Sequence, residues 1–262
     1  MMNLASLFGK ASPPLVGLDI STSGVRLVEL ADAGKGELRL ERFASEPLPR
    51  GAVVDGNIEN MEQVVDAVRR VWKKSGTRVK LVALGMPPAS VITKKIILPA
   101  GLSEDQLEVQ VESEASQYIP FALDEVSLDF DVLGMATNSP DDIDVMLAAA
   151  RKEKVEDRVA IAEAAGLTAT VMDIESYAAR AALERVTSIQ PGAAEQIVAL
   201  FQIGAAVTQI SVMIGSETIY EREQPSGNSP ARLRASASSN AMPYARTRSA
   251  VSWLPPNGCS RS

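Results

Sequence analysis

Apolar and polar residues alternate in the first patterned stretch of the chain. Val16, Leu18 and Ile20 fall on one period-2 face, and Val25, Leu27 and Glu29 resume the alternation after Ser21-Thr22-Ser23-Gly24. The pattern predicts strand, small polar turn, strand. Residues 37–44 alternate again and predict a third antiparallel strand, reached through a turn over 32–36. A loop rich in Pro and Gly occupies 46–56. Val64, Val65, Val68, Val71 and Trp72 then recur at helical spacing, which predicts a helix over 60–74 with Asn60 as its N-cap. Residues 79–85 read as a buried fourth strand.

Met86-Pro87-Pro88 interrupts this plan, and a second pattern follows. Residues 90–98 are rich in β-branched residues and predict a strand. Ser103-Glu104-Asp105-Gln106 has the form of a capping box and opens a helix to about Tyr118, ended by Ile119-Pro120-Phe121. Strands are predicted over 126–133 and 143–149, around a turn at 138–141, and a helix over 152–165 closed by Gly166. Together these make an α+β module of about eighty residues, within the ordinary domain range. A strand over 167–173 and an alanine-rich helix over 176–185 return to the first plan.

After a linker at 190–192, strands are predicted over 196–204, 207–214 and 217–222. They repeat the opening order of strand, small-residue turn, strand, turn, strand. Two related halves around a cleft are the expected architecture. The repeat stops before a covering helix, which predicts an unpaired edge and exposed apolar residues on 207–214. Poor solubility and weak nucleotide affinity are expected with it.

Residues 226–262 depart from all of this. They hold five arginines and nine serines but no Asp, Glu or Lys. They therefore carry +5, against -12 for the first 225 residues (21 basic, 33 acidic). A flexible basic tail is one reading. The abrupt change at Pro225-Ser226 favours another, an out-of-frame or truncated ending.

Composition narrows the chemistry. The chain of 262 residues has 46% hydrophobic residues, net charge -7 and pI about 4.9, which argues against nucleic acid as partner. It has no histidine and one cysteine, Cys259. Histidine-based triads, histidine metal motifs and intrachain disulfides are excluded, and a reducing cytoplasm fits. No apolar run reaches the ~18–20 residues that span a bilayer. Leu4, Leu7 and Phe8 are helix-spaced, and a frayed terminus is the simpler reading. The opening turn admits two readings. Asp19 before the small hydroxyl residues Ser21, Thr22 and Ser23 suits a phosphate with a hydrated cation. A tight hairpin with polar turn residues accounts for the same pattern.

The segments 17–30, Tyr118-Ile119-Pro120-Phe121, Ala148-Ala149-Ala150-Arg151-Lys152, 171–178 and 219–225 occur in one order. In that order they resemble the pilus branch of the actin-like ATPase superfamily, and within it the PilM family of type IV pilus assembly. The resemblance covers 15–225. It implies an α/β, actin-like (ribonuclease H-like) fold. Subdomain 1A would take 15–85 plus 167–190, an inserted 1C (SHS2-like) subdomain 86–166, and an incomplete subdomain 2A 196–225.

It also implies site residues. Asp19 would hold magnesium through water. Ser21, Thr22, Ser23, Gly24 and Arg26 would meet the phosphates of ATP, with Gly204 and Ala205 on a second phosphate loop. There Gln202 replaces an expected Asp, which puts metal-dependent hydrolysis in question. Glu175, beside Asp173, would orient water in the cleft; a solvated or helix-capping acid is the plain alternative. The function implied is a cytoplasmic scaffold, at most a weak ATPase, docking the cytoplasmic N-terminal peptide of PilN. It would sit at the inner membrane through that partner, with other pilus assembly proteins and self-association as further contacts. An FtsA-like filament protein would need a C-terminal amphipathic membrane helix. A small-molecule kinase of the same superfamily would need a catalytic Asp near the cleft.

Overall fold

The computed structural model describes residues 14–34, 37–137, 139–187, 196–215 and 217–225. The N-terminal Leu4, Leu7 and Phe8, the linker at 190–192, Cys259 and the tail 226–262 lie outside them. So do parts of the turns expected at 32–36 and 138–141.

The alternation seen in the sequence becomes a short strand followed by two long ones, paired antiparallel in chain order. β1 (Val16–Ser21) pairs with β2 (Gly24–Gly34), and β2 with β3 (Glu37–Pro47). β3 runs past its expected end because Ala44 is buried and Ser45 to Pro47 stay in register with β2. Val16, Leu18, Ile20, Val25, Leu27 and Ala44 form the apolar face. Helix α1 (Met61–Ser75) packs Val64, Val65, Val68 and Val71 onto it. Asn60 caps α1 by accepting from the Gln63 N–H at 3.0 Å, and Gly76 ends it at φ 67°.

The 46–56 loop holds a small hairpin that the sequence reading passed over, β4 (Val53–Val54) with β5 (Asn57–Ile58). Its turn residues Asp55 and Gly56 have φ 48° and 77°, as the Asp-Gly signal for such turns requires. β6 (Leu81–Met86) starts two residues later than expected. Val79 is instead tied down by its carbonyl, which accepts from Trp72 Nε1 at 3.1 Å.

The interruption after β6 leads to a separate sheet of β7 (Val91–Pro99), β8 (Val126–Met135) and β9 (Asp142–Arg151), in the order β7-β9-β8. Helix α2 (Glu104–Ala115) covers it through Leu107, Val111 and Ala115, opened by a full capping box at Ser103 and Gln106. α2 stops three residues short of Tyr118. Helix α3 (Lys152–Ala164), within the expected insert over 86–166, adds Val155, Ile161 and Ala162 to the core that α1 also joins, whereas α2 and the inserted sheet form a second cluster.

β10 (Thr168–Ile174) completes the main sheet, whose order is β10-β6-β1-β2-β3, with β10, β6 and β1 parallel. Helix α4 (Glu175–Thr187) follows at once. A third sheet holds β11 (Ile197–Ile203), β12 (Val207–Ile214) and β13 (Glu217–Pro225), in that order. The unpaired edge expected on 207–214 is therefore corrected. β12 is central and paired on both sides, and among the described residues the edges of this sheet are β11 and β13.

Candidate functional site

Three parallel strands end side by side. Side chains alternate along β1, so Gly17, Asp19 and Ser21 point away from the face that α1 covers. The registers Gly17 with Ala83 and Asp173 with Gly85 place Asp19, Gly85 and Asp173 on that same open face, near the carboxyl ends of β1, β6 and β10. The crevice beyond the carboxyl ends of parallel strands is where open α/β sheets take ligands.

Asp19 stands directly across from Arg26 in the hairpin register. Arg26 Nη1 donates to Asp19 Oδ2 at 2.8 Å and to Ser21 Oγ at 3.1 Å. Ser21 Oγ donates to the Gly24 carbonyl at 2.9 Å, closing the turn around Thr22 and Ser23. Gly24 has its own packing reason. A Cβ there would lie 2.7 Å from the Glu46 carbonyl oxygen, so β3 could not approach. The structure thus gathers Asp19, Ser21, Thr22, Ser23, Gly24 and Arg26 in one small hairpin end.

Glu175 opens α4 beside this hairpin. Its side chain lies against Gly85, where a Cβ would come within 2.8 Å of Glu175 Cγ. Burial pushes the Glu175 carboxyl up to about 7; Asp19 and Glu223 push the same way and Arg158 opposes them. Asp173 is also raised by burial, against the Ile174 N–H, which donates to its Oδ1 at 2.7 Å, and against Arg180.

Arg158 is the site residue the sequence did not announce. It lies on α3, fully buried, with Nε donating to the Gly85 carbonyl at 3.0 Å and Nη2 to the Gly56 carbonyl at 2.9 Å. Burial lowers its pKa, partly offset by Glu175, Asp157 and Asp19. Arg180 of α4 reaches the third sheet, its Nη1 donating to Thr218 Oγ1 at 3.2 Å.

Gly204 and Ala205 lie on that third sheet, in a turn with the dimensions of the first. The Gly204 N–H donates to the Val207 carbonyl at 2.9 Å, and a Cβ on Gly204 would be 2.7 Å from the same oxygen. The register pairs Gln202 with Gln209, as it pairs Asp19 with Arg26 in the first hairpin. Asp19 is paired with the Arg26 guanidinium and Gln202 is uncharged, so a magnesium ion here would rest on Asp19 through water and on a ligand's phosphates rather than on a set of protein carboxylates.

A second concavity lies where the inserted sheet meets the first core. This cavity of about 320 Å³ is lined by Asn57, Ser90, Val91, Phe121, Arg151 and Lys154, among others. The Arg151 guanidinium lies 5.4 Å from the Phe121 ring centre, and Glu153 contacts both Arg151 and Lys154, at 3.4 and 3.6 Å. The walls are apolar and the rim is cationic. Among the described residues, no helix is long and apolar enough to cross a membrane.

A five-stranded mixed sheet in this order, with an insert after β6 and the opening hairpin repeated in a later sheet, defines an actin-like fold. The profile of the type IV pilus assembly protein PilM family matches residues 17–232, and the chain belongs to that family. Among solved structures it is similar to the PilM-PilN type IV pilus biogenesis complex, with 27% identity and TM-score 0.69, covering 81% of this chain. The chain spans 62% of the length of that relative. The cytoplasmic domain of EpsL, an inner-membrane component of the Vibrio cholerae type II secretion system, gives 11% identity and TM-score 0.46, over 80% of this chain and 71% of its own. The ethanolamine utilization protein EutJ of Carboxydothermus hydrogenoformans gives 17% and 0.45, over 83% and 54%.

Proposed function

We propose that the chain is an actin-like scaffold of the inner-membrane type IV pilus assembly complex. It docks the cytoplasmic N-terminal peptide of PilN, and ATP acts as a conformational ligand rather than a fuel. The observation that carries the reading is the similarity, at 27% identity over 81% of this chain, to a protein solved as a complex with PilN. In the cleft Glu175 sits among Asp19, Glu223 and Arg158, and its carboxyl is pushed up to about 7, so it can take a proton from a water.

The groove at Phe121, Arg151 and Lys154 is the proposed docking place. Its apolar walls would take an apolar side chain of an extended segment, and its two cations would take carbonyls or an acidic group. Through PilN the protein would work at the cytoplasmic face of the inner membrane, beside other pilus assembly proteins. Neither the FtsA-like filament nor the small-molecule kinase gains an observation from the fold. Fluorescence anisotropy with a labelled PilN N-terminal peptide tests the proposal. Saturable binding that falls at least about tenfold in Arg151→Glu supports it. A wild-type chain that leaves the peptide free, or a variant that binds it equally well, refutes it.

A further inference from the structure

Lysine and arginine crowd one short stretch of an otherwise acidic chain. Residues 69–80 hold Arg69, Arg70, Lys73, Lys74, Arg78 and Lys80 and no Asp or Glu, whereas the first 225 residues together carry -12 (21 basic, 33 acidic). All six are exposed, on the last turns of α1 and the loop that leads into β6. Neutral groups hold several of them in place without cancelling their charge. Arg69 Nη2 donates to the Ala164 carbonyl at 2.6 Å, Lys74 Nζ to the Ser45 carbonyl at 2.9 Å and Lys80 Nζ to the Gly166 carbonyl at 3.1 Å. Lys80 also lies 4.2 Å from the Trp72 ring centre. Acids answer only part of the charge. Asp66 pairs with Arg69, and Glu46 pairs with Arg70 and, at 3.9 Å, with Lys74. Among the described residues Lys73 and Arg78 have no acidic partner. The C-terminus of α1 draws a cation such as Lys73, but Arg78 lies in the loop beyond it. Glu62 stands at the other end of α1, about 16 Å along the axis from Lys73. That exceeds the screening length of about 8 Å at physiological salt.

The topology sets this patch apart from both concavities. Lys80 immediately precedes β6, and Gly166 stands just ahead of β10, so the patch lies at the amino ends of strands whose carboxyl ends carry the candidate site. It adjoins the C-terminus of α3, whereas Arg151 and Lys154 of the groove lie at the N-terminus of that helix. We propose that this face binds the anionic headgroups of a phospholipid membrane directly, by charge and without insertion. The proposal rests on the membrane location in the function proposed above. The cations spread over the outside of a helix and its loop, with no large apolar side chain exposed among them. That suits a diffuse field of headgroups better than a socket for one peptide segment, and clusters of about four to eight Lys and Arg are the usual reader of such a field. Charge on this face and a tether through a protein partner are two weak signals that together hold a chain at a membrane.

The test is sedimentation of the full 262-residue chain with vesicles of phosphatidylcholine holding about one third phosphatidylglycerol, against vesicles of phosphatidylcholine alone. The chain should bind the anionic vesicles, weaken by about tenfold or more between about 0.05 and 0.3 M salt, and leave the neutral vesicles free. Lys73→Glu with Arg78→Glu should weaken binding by about tenfold or more, and the milder Lys73→Gln with Arg78→Gln by about fivefold. Arg246→Glu with Arg248→Glu makes the same change of net charge in the segment 226–262 and should alter binding by less than about twofold. No binding to anionic vesicles, equal binding to neutral ones, or an equal loss from the Arg246 and Arg248 pair overturns the proposal. Tighter capture by duplex DNA than by the anionic vesicles overturns it too and assigns the patch to nucleic acid. The vesicles hold no PilN, so these failures leave the docking proposal standing. In the anisotropy assay the Lys73→Glu, Arg78→Glu chain should bind the PilN peptide as the wild type does.

Discussion

The two hairpins β1–β2 and β11–β12 share one plan and differ in everything the plan leaves free. Each has a four-residue turn, and in each the residue two before the turn faces the residue two after it across the ladder. In the first that pair is Asp19 and Arg26; in the second it is Gln202 and Gln209. The first turn carries hydroxyls and the second carries alanines. The apolar faces diverge as sharply. Leu18 and Ile20 are 2% and 4% exposed beneath the helical layer, whereas their counterparts Phe201 and Ile203 are 55% and 82% exposed. Topology repeats cheaply because it needs only alternation and a small turn. Charge and burial do not follow unless the surrounding elements supply them.

The largest test of this contrast is a pair of truncations. Leu18→Ala should cost about 3 kcal/mol or more in urea denaturation, since it leaves a cavity in a closed core. Phe201→Ala should cost about 1 kcal/mol or less. Equal costs would mean that the second face is covered after all. Next comes pH. Glu175 has an ordinary carboxyl value of 4.5 and is raised to about 7 in the fold, so the fold favours its protonated form. Stability from this group is complete below about pH 4.5 and is lost as pH rises through 7, by up to roughly 3 kcal/mol. Glu175→Gln should flatten most of that slope, with Asp173 supplying the remainder. An unchanged slope would remove Glu175 from the buried cluster. The smallest effect is at the ladder pairs. Arg26→Ala and Gln209→Ala should each shift stability by under about 1 kcal/mol.

The long strands of the first two sheets and α1, α2 and α3 were legible because each buries a face and burial leaves a period, while the repeat was legible from alternation and a small-residue turn although β11 buries no residue. The β4–β5 hairpin was missed because two-residue strands have no period, although Asp55-Gly56 signalled it. Arg158 was illegible for a different reason. On α3 it reads as one more solvated charge, and its two carbonyl partners lie 73 and 102 residues away. The Asp19–Arg26 pair could have been read. Once Ser21 faces Gly24 the ladder sets Asp19 opposite Arg26. The groove could not be read, since its lining comes from segments as far apart as Asn57 and Lys154.

The most direct measurement is hydrogen exchange by mass spectrometry on the chain with and without the PilN N-terminal peptide. The account predicts slower exchange in residues 89–92, 120–126 and 149–154, with 197–203 unchanged. Protection confined to 197–203, the uncovered face of β11, would contradict it and place the partner on the second hairpin instead.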